Sequence, residues 1–150
     1  MNIHFIKTPE KRRIIEELNK QFGIETLPYL LIQTGKEKIR GFSGNLSKEE
    51  IIQLSRLTNI EIIGLYMLKK EGDFRITLDA IHLIKGQIKN NIIEINDEQL
   101  QDWLRGRDLN IQTNNRNKFI IKHNDDFIGF GKSNGIKIFN YIPKDRRLKK

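Results

Sequence analysis

Apolar positions recur at helical spacing near the start of the chain, where Ile14, Ile15, Leu18 and Phe22 follow Thr8 and Pro9 and precede Gly23. This pattern predicts a helix capped by Thr8, with Pro9 at the first helical position and Gly23 as its stop. The period then shortens, and Leu30–Gln33 and Glu37–Phe42 read as a hairpin around Thr34, Gly35 and Lys36. Ser47 and Glu50 have the spacing of a capping box, and Leu46 and Ile51 that of a hydrophobic staple, so a helix is expected from Lys48 to Leu57. The β-branched and apolar run Asn59–Lys69 predicts a long buried strand, turned at Glu71 and Gly72 into Asp73–Ile76. Thr77 then caps a helix that runs through Ile84 and stops at Gly86.

Beyond this point the pattern changes. Asn91–Ile95 reads as a short strand, and Asn96 opens a helix of about ten residues with Leu100, Trp103 and Leu104 inward and Gly106 at its end. From Leu109 on only strands are expected: Leu109–Gln112, Phe119–Lys122, Phe127–Gly131 and Ile136–Ile142. They are separated by turns at Asn114–Asn117, Asn124–Asp126 and Asn134-Gly135, the last being the strongest short hairpin signal. Alternation along the last strand points Ile136, Ile138 and Ile142 into the core and Lys137, Phe139 and Tyr141 the other way. The expected fold is α+β: an α/β pre-domain over residues 1–87, then a small closed β-barrel with one or two helices over residues 88–150.

With 37% hydrophobic and 31% charged residues in 150, the chain reads as a soluble globular protein. No apolar run nears the roughly 20 residues a bilayer span requires, and the amino-terminal charges follow the apolar patch, the reverse of a signal peptide. A cytoplasmic location without membrane contact is expected. The absence of cysteine excludes disulfides, thiolate metal sites and thiolate nucleophiles. His4, His82 and His123 lack metal-ligand spacing, so no metal is expected. Gly131-Lys132-Ser133 ends like a P-loop, but Asp126 stands where the first glycine would be and a hairpin follows instead of a helix. Gly129, Gly131 and Gly135 miss the dinucleotide spacing as well, and bends or close backbone approach explain them better. No cofactor is implied. Asp73, Asp79, Glu94, Asp97 and Asp108 are candidate acids or bases, but none has a partner at catalytic spacing, and caps and helix dipoles account for Asp79 and Asp97.

Charge is the informative property. Up to Leu104, 15 Lys and Arg balance 15 Asp and Glu; from Arg105 onward 12 face 4, so the whole net charge of +8 lies in the last third. Clustered cations of this kind suit nucleic acid, because they release the counterions condensed on phosphates. Lys132, Lys137, Lys144, Arg146 and Arg147 are expected to track a phosphate backbone, with Phe139 or Tyr141 as a stacking platform. Arg105 and Arg107 flank Gly106, where a phosphate could approach bare backbone. The basic tail Lys144–Lys150 has a plainer explanation as a frayed end.

The stretch from Gly129 to Arg147 contains Gly129-Phe130-Gly131-Lys132, the Asn134-Gly135 hairpin and Asn140-Tyr141-Ile142-Pro143-Lys144-Asp145-Arg146-Arg147, and Leu104-Arg105-Gly106 precedes it. Together these residues resemble the PUA-like RNA-binding domain at the carboxyl end of Nol/Nop/Sun-type RNA 5-methylcytosine methyltransferases. The likeness runs from about Ile92 to Arg147, with departures at Phe139, often Lys in that family, and at Ile142, often aromatic. It implies a PUA-like barrel and adds Asn140 to the RNA-contacting residues. The methyltransferases' cofactor loop and catalytic cysteine are missing, so the resemblance implies a stand-alone protein of archaeal type, a pre-domain joined to a PUA domain. The function it implies is non-catalytic binding of structured RNA, ribosomal RNA ahead of transfer RNA, in ribosome biogenesis or RNA modification. The alternative is a protein adaptor that docks on an RNA methyltransferase or a ribosome-assembly factor, for which an exposed apolar patch would speak.

Overall fold

The computed structural model describes residues 3–44, 46–57 and 64–149. Helix α1 (Thr8–Phe22) buries Ile14, Leu18 and Phe22 on one face, as apolar positions four residues apart dictate. Its N-cap is Lys7, not Thr8, and no side-chain cap bond forms; proline occupies the first turn, where the missing N–H costs nothing. Strands β1 (Ile3–Phe5), β2 (Leu30–Thr34), β3 (Lys38–Phe42), β4 (Leu65–Glu71) and β5 (Asp73–Ile76) form an antiparallel sheet in sequence order. Between β3 and β4, helix α2 (Lys48–Leu57) begins with the expected capping box, its two Ser47–Glu50 bonds both 3.1 Å. Leu46 stays 41% exposed, however, while Ile51 is buried. Residues 59–63 of the expected long strand lie outside the described residues, and in β4 only Met67 and Leu68 are buried. Helix α3 (Leu78–Ile84) is capped as expected, with Thr77 Oγ1 accepting the Ala80 N–H at 3.2 Å, and it passes into a 3-10 turn at Lys85–Gln87.

The second sheet contains β6 (Ile92–Glu94), β7 (Lys118–His123), β8 (Asp126–Ser133) and β9 (Ile138–Asn140) in that order, with β6 parallel to β7 and the other pairs antiparallel. Helix α4 (Asp97–Leu104) lies between β6 and β7 in the chain, its start fixed by a capping box of Asn96 and Gln99. The expected strand Leu109–Gln112 shrinks to a bridge between Leu109 and Ile138. Among the described residues the pairings give an open sheet, with β6 at one end and the Leu109 bridge at the other, instead of a closed ring. The α+β class holds.

Residues paired directly across strands share a face. One face of the second sheet carries Phe119, Gly131 and Asn140, and it packs on Trp103 of α4, which is fully buried. A Cβ at Gly129 would collide with that indole, and one at Gly131 with Ile138 and the Phe139 carbonyl, so both glycines serve close approach. The opposite face presents Ile120 and Phe130 to the same core that α1, α3 and the first sheet build. Phe22 and Phe130 meet there at 5.9 Å between ring centroids. The core is thus continuous across residues 87 and 88. No helix among the described residues is long and apolar enough to cross a membrane.

Candidate nucleic-acid interface

Six of the ten predicted contact residues meet at the carboxyl end of α4. Arg105 is the C-cap and Gly106 follows at φ +84°, a left-handed conformation that glycine adopts without strain. The space over Gly106 is not open to a phosphate, because the Arg147 guanidinium fills it. Arg147 Nε also donates to Ile142 O at 3.1 Å, and the Leu148 N–H donates to Leu104 O at 2.7 Å. Arg107 pairs with Asp102 at 2.8 Å, and Lys137 stands 3.9 Å from Asp108. Asn140 makes three hydrogen bonds with its amide inside the protein. Its Nδ2 donates to Trp103 O at 2.8 Å and to Arg107 O at 2.9 Å, while Oδ1 accepts the Ile142 N–H at 2.8 Å. Asn140 ties β9 to the end of α4, with both amide hydrogens spent and one lone pair of Oδ1 left over.

The tail is not frayed over the described residues. Lys144–Arg146 form a 3-10 turn, and Arg146 donates two bonds of 3.0 Å to the Asp79 carboxylate, which raise its pKa further. Tyr141 stacks on Phe130 at 6.2 Å and carries the Arg75 guanidinium at 4.2 Å from its ring, so the ring is already engaged within the protein. The alternation around β9 holds for Ile138 and Ile142, which are buried, and for Phe139, which is 38% exposed. Ile136 breaks it at 69% exposed. It precedes the strand in a turn where Asn134 Oδ1 accepts the N–H groups of Ile136 and Lys137, so the period-2 rule does not apply to it.

Among the described residues, Arg105, Lys132 and Lys144 are exposed and make no ion pair. Lys132 lies directly opposite Phe139 across β8 and β9. On its other side is Lys118, buried, whose ammonium donates to Glu71 O at 3.1 Å and Asp73 O at 3.0 Å and whose pKa burial pushes down. Of the predicted contact residues, Lys132 is thus left without an ion pair, while Arg107, Asn140, Arg146 and Arg147 make contacts within the protein.

A second concentration of cations escaped the sequence. Lys38, Lys69 and Arg75 stand side by side across β3, β4 and β5. They line a cleft of about 240 Å³ between the two sheets, together with Tyr66, Thr77, Tyr141 and Pro143. Lys38 lies 5.2 Å from the centroid of the Tyr66 ring. Burial raises the pKa of both tyrosines, so both hydroxyls stay protonated at neutral pH. These residues come from a segment without net charge, and only strand register brings them together.

Residues 90–148 match the family model described as the Methyltransferase RsmF PUA domain. A solved structure, "Structure of a Conserved PUA Domain Protein from Thermoplasma acidophilum", superposes with a TM-score of 0.59 at 16% sequence identity, covering 93% of each chain. No curated protein matches. The homology supports a general RNA-binding role, and the matched family is not a catalytic one. The carboxyl-terminal part of the chain is a PUA-like domain resembling the carboxyl-terminal domains of Sun-type RNA methyltransferases.

Proposed function

We propose that the chain is a non-catalytic protein that binds structured RNA through its PUA-like half, residues 88–150, with residues 1–87 as an α/β pre-domain. The observation that carries this is the exposed Phe139 ring directly across from the unpaired Lys132, which offers a base a stacking surface and its phosphate a cation at one point of the sheet. Arg105 and Lys144 add free charge for the backbone. Ribosomal RNA is the first candidate and transfer RNA the second, in ribosome biogenesis or RNA modification in an archaeal cytoplasm; the organism of the Thermoplasma structure fits the archaeal part of that setting. Binding of the full chain to ribosomal RNA fragments and to transfer RNA across a salt series tests the reading. Phe139→Ala should weaken binding about tenfold, and Lys132→Glu should also lower the salt slope by about 1. Unchanged affinity in both folded variants would overturn the assignment of this face. A protein-adaptor role, docking on an RNA methyltransferase or assembly factor, is favoured by the exposure of Leu46 and Leu54, 41% and 43%, around α2; RNA affinity that is absent at all salt concentrations would turn the conclusion that way.

A further inference from the structure

Lys38, Lys69 and Arg75 come from three strands, and register sets them directly opposite one another, Lys38 against Lys69 and Lys69 against Arg75. Like charges placed this way destabilise a sheet. The nearest acids compensate weakly: Glu37 lies 3.8 Å from Lys69 and Glu71 4.0 Å from Arg75, both at the outer limit of an ion pair and partly exposed. The row is therefore short of negative charge, and it borders a cleft with aromatic walls. Of these walls, Tyr141 stacks on Phe130 and carries Arg75 at 4.2 Å, while Tyr66 has its cations farther off, Lys38 at 5.2 Å and Arg40 at 5.8 Å from the ring centroid. At about 240 Å³ the cleft is smaller than the roughly 300–1,000 Å³ of sites that enclose drug-sized ligands. It does not end blindly: Tyr66, Thr77 and Pro143 also line a neighbouring groove that leads to Arg146, where Asp79 is already paired.

We propose that this cleft holds one unpaired nucleotide of a bound RNA strand, its base against Tyr66 and Pro143 and its phosphates along Lys38 and Lys69. The continuing groove favours a strand over a free mononucleotide. The inference rests on the RNA-binding reading above and extends it, since it makes the pre-domain part of the interface and gives it a local site for an anion.

The test compares the full chain's affinity for a blunt RNA stem-loop with that for the same stem-loop carrying a short single-stranded 3′ extension. The extension should tighten binding about tenfold, or ~1.4 kcal/mol, within what one stacked base supplies. Tyr66→Leu, which keeps bulk, and the double variant Lys38→Gln with Lys69→Gln, which relieves repulsion in the sheet, should each remove that gain and leave blunt stem-loop binding unchanged. Adenosine monophosphate in excess should not compete the gain away if the site needs a strand; complete competition would overturn the choice of a strand. A blunt stem-loop that binds with no gain from the extension, or a gain that survives both folded variants, overturns the cleft while leaving RNA binding intact. Failure of both RNAs to bind overturns the general reading and this one with it.

Discussion

Asn140 shows how a motif residue can be engaged inside the fold. Its amide joins Trp103 O, Arg107 O and the Ile142 N–H, and removing it would leave polar groups at the edge of the Trp103 core without partners. Asn140→Ala should lower unfolding stability by about 2–3 kcal/mol, read from urea midpoints, while RNA affinity measured where the variant is folded changes less than about twofold; a large affinity loss with unchanged stability would return Asn140 to the interface. Glu17 is a different single-residue case. Burial, first, then a hydrogen bond to Asp73 and that residue's charge push its carboxyl pKa up, against the pull of Lys118. An acid whose folded pKa is raised binds more protons folded than unfolded, so stability is greatest at low pH and falls as pH rises from the ordinary glutamate range through the raised value. Glu17→Gln should flatten that fall, so that its melting temperature exceeds the natural protein's at pH 7 by more than at pH 4; a constant difference across this range would contradict the linkage.

Local signals specified the elements well where a single short-range contact decides them. Thr77, Asn96 with Gln99, and Ser47 with Glu50 all cap as side-chain chemistry requires, and Asn134 nucleates its hairpin turn. What short-range rules could not supply is the partner of a charged side chain. Arg146 finds Asp79 and Arg147 finds Gly106 only through tertiary folding, so basic residues that look free in sequence are clamps that dock the tail on α3 and α4. Strand limits matter in the same way: Ile136 is exposed because β9 starts two residues later, at Ile138. Gly106→Ala should cost about 1–2 kcal/mol from its left-handed backbone alone, and its Cβ should expel the Arg147 side chain. Faster hydrogen exchange at the Leu148 amide, which now donates to Leu104 O, would report that undocking, whereas unchanged protection would show that the tail is held without it.

Over the whole molecule, charge and core divide the chain differently. The net charge of +8 belongs to the last third, yet the core ignores the boundary near residue 87: Ile120 and Phe130 pack with Leu18, Phe22 and Ile81 in one cluster, and Tyr141 packs against it. Polar ties follow the same course, with Asn91 Nδ2 on Gln21 O at 2.5 Å, Arg75 on Tyr141 O at 2.8 Å and the Lys118 ammonium on the β4–β5 turn. A change of pattern along a sequence marks where one sheet ends and the next begins, but it carries no information on whether each sheet covers its own apolar face. Here the second sheet does not, because among the described residues its face with Ile120 and Phe130 packs on α1, α3 and the first sheet. The full chain should therefore unfold in one cooperative transition, seen as coincident loss of helical circular dichroism and of Trp103 fluorescence burial. Residues 88–150 alone should expose the Phe130 face, bind a hydrophobic dye and lack a cooperative transition. A fragment that melts cooperatively, with its tryptophan buried, would show that α4 and the second sheet are self-sufficient and that the shared core is only contact between finished domains.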